Sequence, residues 1–263
     1  MTYFWLPAIT LWKREMVRFF RQRSRVVGAI VPPILFWFLI GSGLGASFHL
    51  PGMPTLMDGT DVTYLQYFFP GTVVLIVLFT AIFSTISIIE DRHEGFLQSV
   101  LVAPVPRSAI VLGKIAGGTS LAFAQAVLFL ALAPVAGLSV HWRGLIFLLV
   151  LLLIISFGLT GLGFFLAWKL DSTQGFHAIM NLLLIPMWLL SGTLFPVSGA
   201  PFWLRLIMRI NPLTYGVDAL REMLLVHGQP LQTNLASPWT CLAISIVFSG
   251  VMFAVSVQTA RQQ

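Results

Sequence analysis

The sequence predicts an all-α integral membrane protein, with six transmembrane helices, an N-terminal amphipathic interfacial helix and re-entrant external helices between spans 5 and 6. Three observations carry this expectation. Charged residues make up only 9% of the 263, and they cluster between six long stretches that hold almost none. Each stretch reaches the roughly 20 apolar residues that a helix needs to cross a hydrocarbon core about 30 Å thick. The chain is 57% hydrophobic with a mean hydropathy of +0.91, whereas a soluble chain of this length needs far more polar surface. No strand alternation appears, and a helix satisfies its own backbone hydrogen bonds in lipid.

Residues 1–25 read as the interfacial helix. Trp5, Ile9, Trp12, Met16 and Phe19 recur on one face, and Arg14, Arg18, Arg21 and Arg25 on another. The plain reading is a surface anchor that fixes topology; a lever linking span 1 to a cytoplasmic partner is the sharper one. The segment lacks the apolar core and cleavage site of a signal peptide. The spans are expected at 26–48, 68–89, 110–136, 144–168, 176–195 and 237–258, so that 1–263 forms one transmembrane domain with its spans inside 26–258. Pro32 and Pro33 fall in the first turns of span 1, where a lost donor costs least. Pro134 and Pro186 are expected to kink spans 3 and 5, or to end the former. Gly41-x-x-x-Gly45 and Gly113-x-x-x-Gly117 permit close helix contact. Cys241 is the only cysteine, which excludes an intramolecular disulfide and reads as a small residue in the last span.

Lys and Arg orient the chain. One side receives Lys13, Arg14, Arg18, Arg21, Arg23, Arg25, Arg92, Arg107, Lys114, Lys169 and Arg261; the other receives only Arg143, Arg205, Arg209 and Arg221. The positive-inside rule places both termini in the cytoplasm. The same distribution explains the net charge of +6 and argues against nucleic-acid binding.

Enzyme signatures fail in turn. A zinc-protease H-E-x-x-H after His93–Glu94 would need His where Leu97 stands. Ser42, Ser84 and Ser191 have no evident His base, and His177 near the start of span 5 reads as a hydrogen-bonded structural residue. Gly113–Lys114 is followed by Ile115 instead of Ser or Thr, and Ser108 stands where a P-loop needs its first Gly. No Asp, Glu, Lys or Arg is expected deep in a span, as ion-coupled carriers require.

Three features remain. The cytoplasmic segment "IIEDRHEGFLQSVLVAPVPRSAIVLGK" starts acidic, continues amphipathically through Phe96, Leu97, Val100 and Leu101, and breaks at Pro104 and Pro106. A short helix within 90–108, suited to a soluble partner, and an ordinary interfacial loop fit equally well. The external segment 196–226 is too polar to span and too apolar for a solvated loop. Phe202, Leu206 and Ile210 form a stripe, Asn211 caps a helix that Pro212 begins, and Tyr215, Ala219 and Met223 continue it. Asp218, Arg221 and Glu222 have pairing spacing. Finally, Thr80, Ser84, Thr85 and Ser87 in span 2, Gln125 in span 3 and Asn181 in span 5 serve either as interhelical glue or as the polar groups of a path.

"LVAPVPRSAIVLGK" after span 2 and "FPVSGAPFWLRLIMRINPLTYGVDALR" between spans 5 and 6 resemble the type-2 permease family of ATP-binding-cassette exporters, in particular the bacterial group of daunorubicin-resistance and nodulation-factor export permeases. The resemblance covers the whole chain. It implies a multi-pass protein of the bacterial inner membrane, working as a homodimer with two copies of a P-loop ATPase subunit. No cofactor would be bound by this chain; ATP and Mg would be held by the partner. On that match Glu90, Asp91, Arg92, Glu94, Gly95, Phe96, Leu97, Val100 and Leu101 would couple to the ATPase. Phe79, Phe83, Ser84 and Ser87 of span 2, with Asn181, Leu184, Trp188 and Leu189 of span 5, would line the substrate path. Asn211, Pro212, Tyr215, Asp218 and Arg221 would belong to an external lid. The implied cargo is an amphipathic, lipid-like, drug or glycolipid molecule. The alternatives are an ATP-independent scaffold or channel component and a membrane-embedded lipid-modifying enzyme.

Overall fold

The computed structural model describes residues 2–21, 31, 34–39, 41, 43, 62–138, 142–225 and 235–262, and no strand occurs among them. The helices are α1 (Thr2–Arg21), α2 (Tyr64–Ser84), α3 (Ile86–His93), α4 (Phe96–Val102), α5 (Arg107–Leu130), α6 (Trp142–Lys169), α7 (Thr173–Trp188), α8 (Phe202–Ile210), α9 (Pro212–Leu225) and α10 (Pro238–Arg261). Among the described residues five helical stretches are long and apolar enough to cross a membrane: Tyr64–His93, Arg107–Leu130, Gly144–Lys169, Thr173–Thr193 and Pro238–Arg261. They coincide with the expected spans 2 to 6. The expected span 1 lies largely outside the described residues, together with Pro32, Pro33 and Gly45, although residues 34–39 are helical.

Local chemistry sets the boundaries. The stretch Tyr64–His93 begins before residue 68 because Thr63 and Gln66 form a capping box: the Gln66 amide donates to Thr63 Oγ1 (3.4 Å) and the Thr63 amide to Gln66 Oε1 (3.0 Å). α5 stops at Leu130, short of the expected 136, and a 3-10 turn at Ala133–Ala136 carries Pro134. α7 starts where Ser172 Oγ accepts from the Gly175 amide. It runs through Pro186 and passes into a π turn at Leu189–Thr193, the kind of local adjustment that re-satisfies backbone groups freed by a proline.

α2 is the central element and is almost wholly buried. The Trp188 indole of α7 donates to the Gly71 carbonyl of α2 (2.9 Å), and Thr80 of α2 bonds Gln125 of α5 (2.5 Å). On the other flank, α10 is tied to α6 by Ser249 Oγ to the Ile154 carbonyl (2.7 Å) and Ser256 Oγ to the Gly161 carbonyl (3.0 Å). Such bonds hold spans together where lipid offers no hydrophobic driving force between helices. Cys241 is buried in this packing.

α1 packs into the fold instead of only resting on a surface. Its Ala8, Leu11 and Glu15 are buried against α5, where Gly113 and Gly117 clear the way. A Cβ at Gly113 would lie 2.6 Å from the Ala8 carbonyl oxygen, and one at Gly117 would lie 2.7 Å from Glu15 Cβ. Trp12 Nε1 donates to Ser120 Oγ (3.0 Å). The remaining apolar stripe (Trp5, Leu6, Ile9, Val17 and Phe20) is exposed, as an interfacial helix requires. At the opposite ends of the spans Trp142, Trp203 and Trp239 are also exposed, at positions that suit an interfacial aromatic belt.

Candidate functional site

The end of the molecule that carries α1, α3 and α4 holds a cluster of charges, several of them buried. Asp91 is fully buried (0% exposed). Arg14 grips it with two bonds (2.8 and 2.7 Å), Arg18 adds one (2.8 Å), and Lys114 Nζ adds another. Lys114 also donates to Glu15 (2.5 Å), and Arg18 to Glu90 (2.8 Å), with Glu94 3.5 Å away. The hydrogen bonds to Asp91 hold the Arg14 guanidinium above its ordinary pKa. Lys114 and Glu15 are themselves buried. An ion is tolerated in such a place because its partners are close and geometrically complete. Lys114 sits in α5 at its charged end, so it does not place a charge deep in a span.

Arg92 points elsewhere. It donates to the carbonyls of Trp168 (2.7 Å) and Leu170 (3.2 Å) and to the Asp171 carboxylate (2.8 Å). These acceptors lie at the C-terminus of α6, where a cation complements the helix dipole. His93 Nε2 meets the Asp171 carbonyl at 2.7 Å. Gly95 then adopts φ +76°, a left-handed conformation that glycine takes without Cβ strain, and turns the chain into α4. Of the segment expected to meet an ATPase, Leu97 is buried, Phe96 lies beneath Arg14 (3.8 Å from ring centroid to guanidinium carbon), and Val100 and Leu101 are half-buried. Glu94, Gln98, Ser99 and Val102 form the exposed side.

Beside this cluster a cavity of about 860 Å³ opens between α1, the helical residues 34–39, α2, α3, α5 and α7. Its charged end carries Glu15, Arg18 and Glu90, and its walls are largely apolar, with Leu75, Phe79, Phe83 and Ile185 among them. From Glu90 to Leu75 it follows span 2 for about 22 Å at about 1.5 Å per residue. Of the expected path residues Phe79, Phe83, Ser84 and Trp188 line it. Ser87 and Leu184 are buried in helix packing, Leu189 is half-buried in the π turn, and Asn181 is exposed on α7 without lining the cavity. Thr80 and His177 also line the cavity, the latter with its ring 5.4 Å from that of Phe83.

The residues expected to belong to a lid lie at the other end. Asn211 Oδ1 accepts from the Leu213 amide (3.1 Å), capping α9 as expected, and its Nδ2 donates to the Met187 carbonyl. Pro212 begins the helix, and Tyr215 donates to the Arg209 carbonyl (2.7 Å). Arg221 is buried 3.6 Å from Asp218, donates to the Gly192 carbonyl (2.9 Å), and lies over the Tyr67 ring at 4.0 Å. Tyr67 donates to the same Gly192 carbonyl (3.1 Å). The π turn is thus pinned to both α2 and α9. In contrast, Phe202, Leu206 and Ile210 of α8 are all exposed.

The part that sequence reasoning left out is Glu15 with Lys114, the pair that ties α1 to α5. The available signal was Glu15 itself, the single acid in a basic block, spaced at i, i+4 and i+7 from Leu11 and Ala8 on one helical face.

Residues 8–225 match the family model described as ABC-2 type transporter. A putative transport permease ycf38 of Cyanophora paradoxa is 28% identical over 211 residues, covering 80% of this chain and 71% of that protein. Nodulation protein J of Rhizobium leguminosarum bv. viciae is 25% identical over 260 residues, 97% of this chain and 94% of the relative. The inner membrane transport permease YadH of Escherichia coli K12 is 25% identical over 247 residues, 89% of each. With five described spans in sequence register and a family match over most of its length, the chain belongs to the ABC-2 type transporter family as a multi-pass membrane permease.

Proposed function

We propose that this chain is the membrane subunit of an ATP-driven exporter that moves an amphipathic cargo out of the cytoplasm. In this reading two copies of the chain pair with two P-loop ATPase subunits, which hold ATP and Mg. The protein sits in a bacterial inner membrane with both termini in the cytoplasm. The observation that carries the reading is the cavity: ionic groups at one end and aromatic and aliphatic walls for about 22 Å fit a molecule with a polar head and an apolar body. The exposed side of α4 (Glu94, Gln98, Ser99 and Val102) offers the ATPase a docking edge. The stripe Thr173, His177 and Asn181, at successive i+4 positions on α7, supplies polar groups on a span that is largely unburied; a second copy of the chain would enclose them. The missing P-loop is consistent with energy supplied from outside the chain. The test is co-reconstitution with the cognate ATPase in liposomes. Cargo that stimulates ATP hydrolysis and accumulates in the direction of export supports the proposal. Hydrolysis indifferent to this chain, or solute movement by the chain alone, overturns it.

A further inference from the structure

Residues 91 and 92 are neighbours in α3, yet their side chains anchor two different walls of the cavity. Asp91 is held by Arg14 and Arg18 of α1, the helix whose Glu15, Arg18 and Phe19 form one wall, and by Lys114 of α5, which itself bonds Glu15 of α1. Arg92 is held by the Trp168 and Leu170 carbonyls and the Asp171 carboxylate, with His93 on the Asp171 carbonyl. Two residues beyond Asp171 comes Thr173, which with His177 lines a second wall. Both anchors lie immediately before Gly95 and α4.

Neither anchor rests on a surface pair alone: the Asp171 carboxylate is 91% exposed, but Arg92 also reaches the carbonyls of Trp168 and Leu170. Asp91 is fully enclosed, and moving it away from its cations would strand a buried charge. Arg92 has three acceptors in fixed directions at a helix end, a fork geometry that resists sliding. Arg14 also covers Phe96 of α4 at 3.8 Å, so α1 touches both α3 and the helix after it. We infer that Asp91 and Arg92 form a divergent clamp that delivers a displacement of α4 to two cavity walls at once, Asp91 drawing α1 and Arg92 drawing the α6–α7 link. They are positioning residues; neither needs to touch cargo or ATPase. The inference rests on the ATP-coupled reading, since that reading supplies the displacement.

The experiment uses the assembled complex of this chain with its cognate ATPase. Cys241 is buried and is the only native cysteine, so Cys241→Ser gives a clean background. Spin labels are placed at exposed Val17 on α1 or Gln174 on α7, each paired with a reference at exposed Val247 on α10. Labelled chain is diluted into unlabelled chain, and distances are read by pulsed EPR without nucleotide and with trapped ATP. In the parent both the 17–247 and the 174–247 distances shift on trapping. Asp91→Asn abolishes the shift at 17 and keeps the shift at 174. Arg92→Gln does the reverse. Arg14→Met combined with Arg18→Met cuts the first anchor from the α1 side and reproduces the Asp91→Asn pattern, a check that does not depend on tolerance at residue 91. A merely structural role would move both distances together or neither. Variants that retain both shifts, or that each lose both, overturn the clamp while leaving the ATP-coupled reading intact. A parent complex whose distances ignore nucleotide overturns that reading and the clamp with it.

Discussion

Lys114→Met isolates the electrostatic part of α1 docking. Lys114 is buried and donates to both Glu15 (2.5 Å) and Asp91. Without it Asp91 keeps Arg14 and Arg18, but Glu15, buried against Gly117, keeps among the described residues only Arg14 at 3.6 Å. Removing one partner from a buried ion pair costs about 3–5 kcal/mol because the other charge remains in a poor medium. For a chain of this size that corresponds to a fall in Tm of roughly 10 °C, at about 2–4 °C per kcal/mol. Methionine keeps most of the volume of the lysine stem, so the loss is not one of packing. The partner change Glu15→Gln in the same chain removes the stranded carboxylate, and the double variant recovers most of the stability, giving a coupling term that a double-mutant cycle measures. The assay is thermal unfolding of purified protein in nanodiscs, followed by near-UV circular dichroism. An unchanged Tm for Lys114→Met, or strictly additive losses in the double variant, refutes the idea that the pair docks α1 onto α5.

Further outcomes follow from other contacts. Gly113→Leu drives a side chain into the Ala8 carbonyl and Leu11; an overpacking cost of about 1–3 kcal/mol should expose residues 2–21 to limited proteolysis before the spans unfold. Gly95→Ala keeps the charges but places a Cβ at φ +76°, costing roughly 1–2 kcal/mol, and should lower cargo-stimulated ATP hydrolysis while the complex still assembles. Ser84→Trp fills the cavity at its polar shoulder and should abolish export with ATPase binding retained; export at the parent rate would place the path elsewhere. Burial pushes the Asp218 carboxyl up to about 6, above the roughly 3.9 of an unfolded chain. Its contribution to α9 packing is therefore full below about pH 4 and is lost as pH rises through 6; the protection of amides 212–225 relative to their intrinsic exchange should fall between pH 4 and 7, and Asp218→Asn should flatten that dependence.

The five described spans were legible because a bilayer imposes length and composition on each of them. Tyr64–His93 and Pro238–Arg261 announce themselves through charge-free stretches, and Asn211–Pro212 marks a helix start through capping chemistry alone. The cavity was half legible. Phe79, Phe83, Ser84 and Trp188 were found because they belong to the two spans that the family resemblance singles out. Asn181 was chosen by the same rule; it shares the i+4 stripe of Thr173, His177 and Ile185 but is not itself among the residues that line the cavity. The charged cluster was not legible, because its pairs join residues far apart in sequence. Arg14 and Asp91, or Glu15 and Lys114, show no spacing that links them, and a cation in a basic block reads as membrane orientation whichever partner it later finds.

That overlap of signals has a physical origin. Clustered positive charge beside a span is a topology signal in its own right, so Arg14 and Arg18 of α1 do not by themselves point to a joint. Placing three acids opposite them, Glu90, Asp91 and Glu94, turns a topological signal into a joint. A hydrophobic joint at the same place would slide, because apolar contacts have no preferred register, whereas an enclosed carboxylate gripped by Arg14, Arg18 and Lys114 has one geometry. Buried ion pairs add little net stability but impose specificity of arrangement in some systems. Registry is what α1 needs if it is to follow α3 without slack, and Gly113 and Gly117 supply the close approach that lets the short Glu15 side chain reach Lys114.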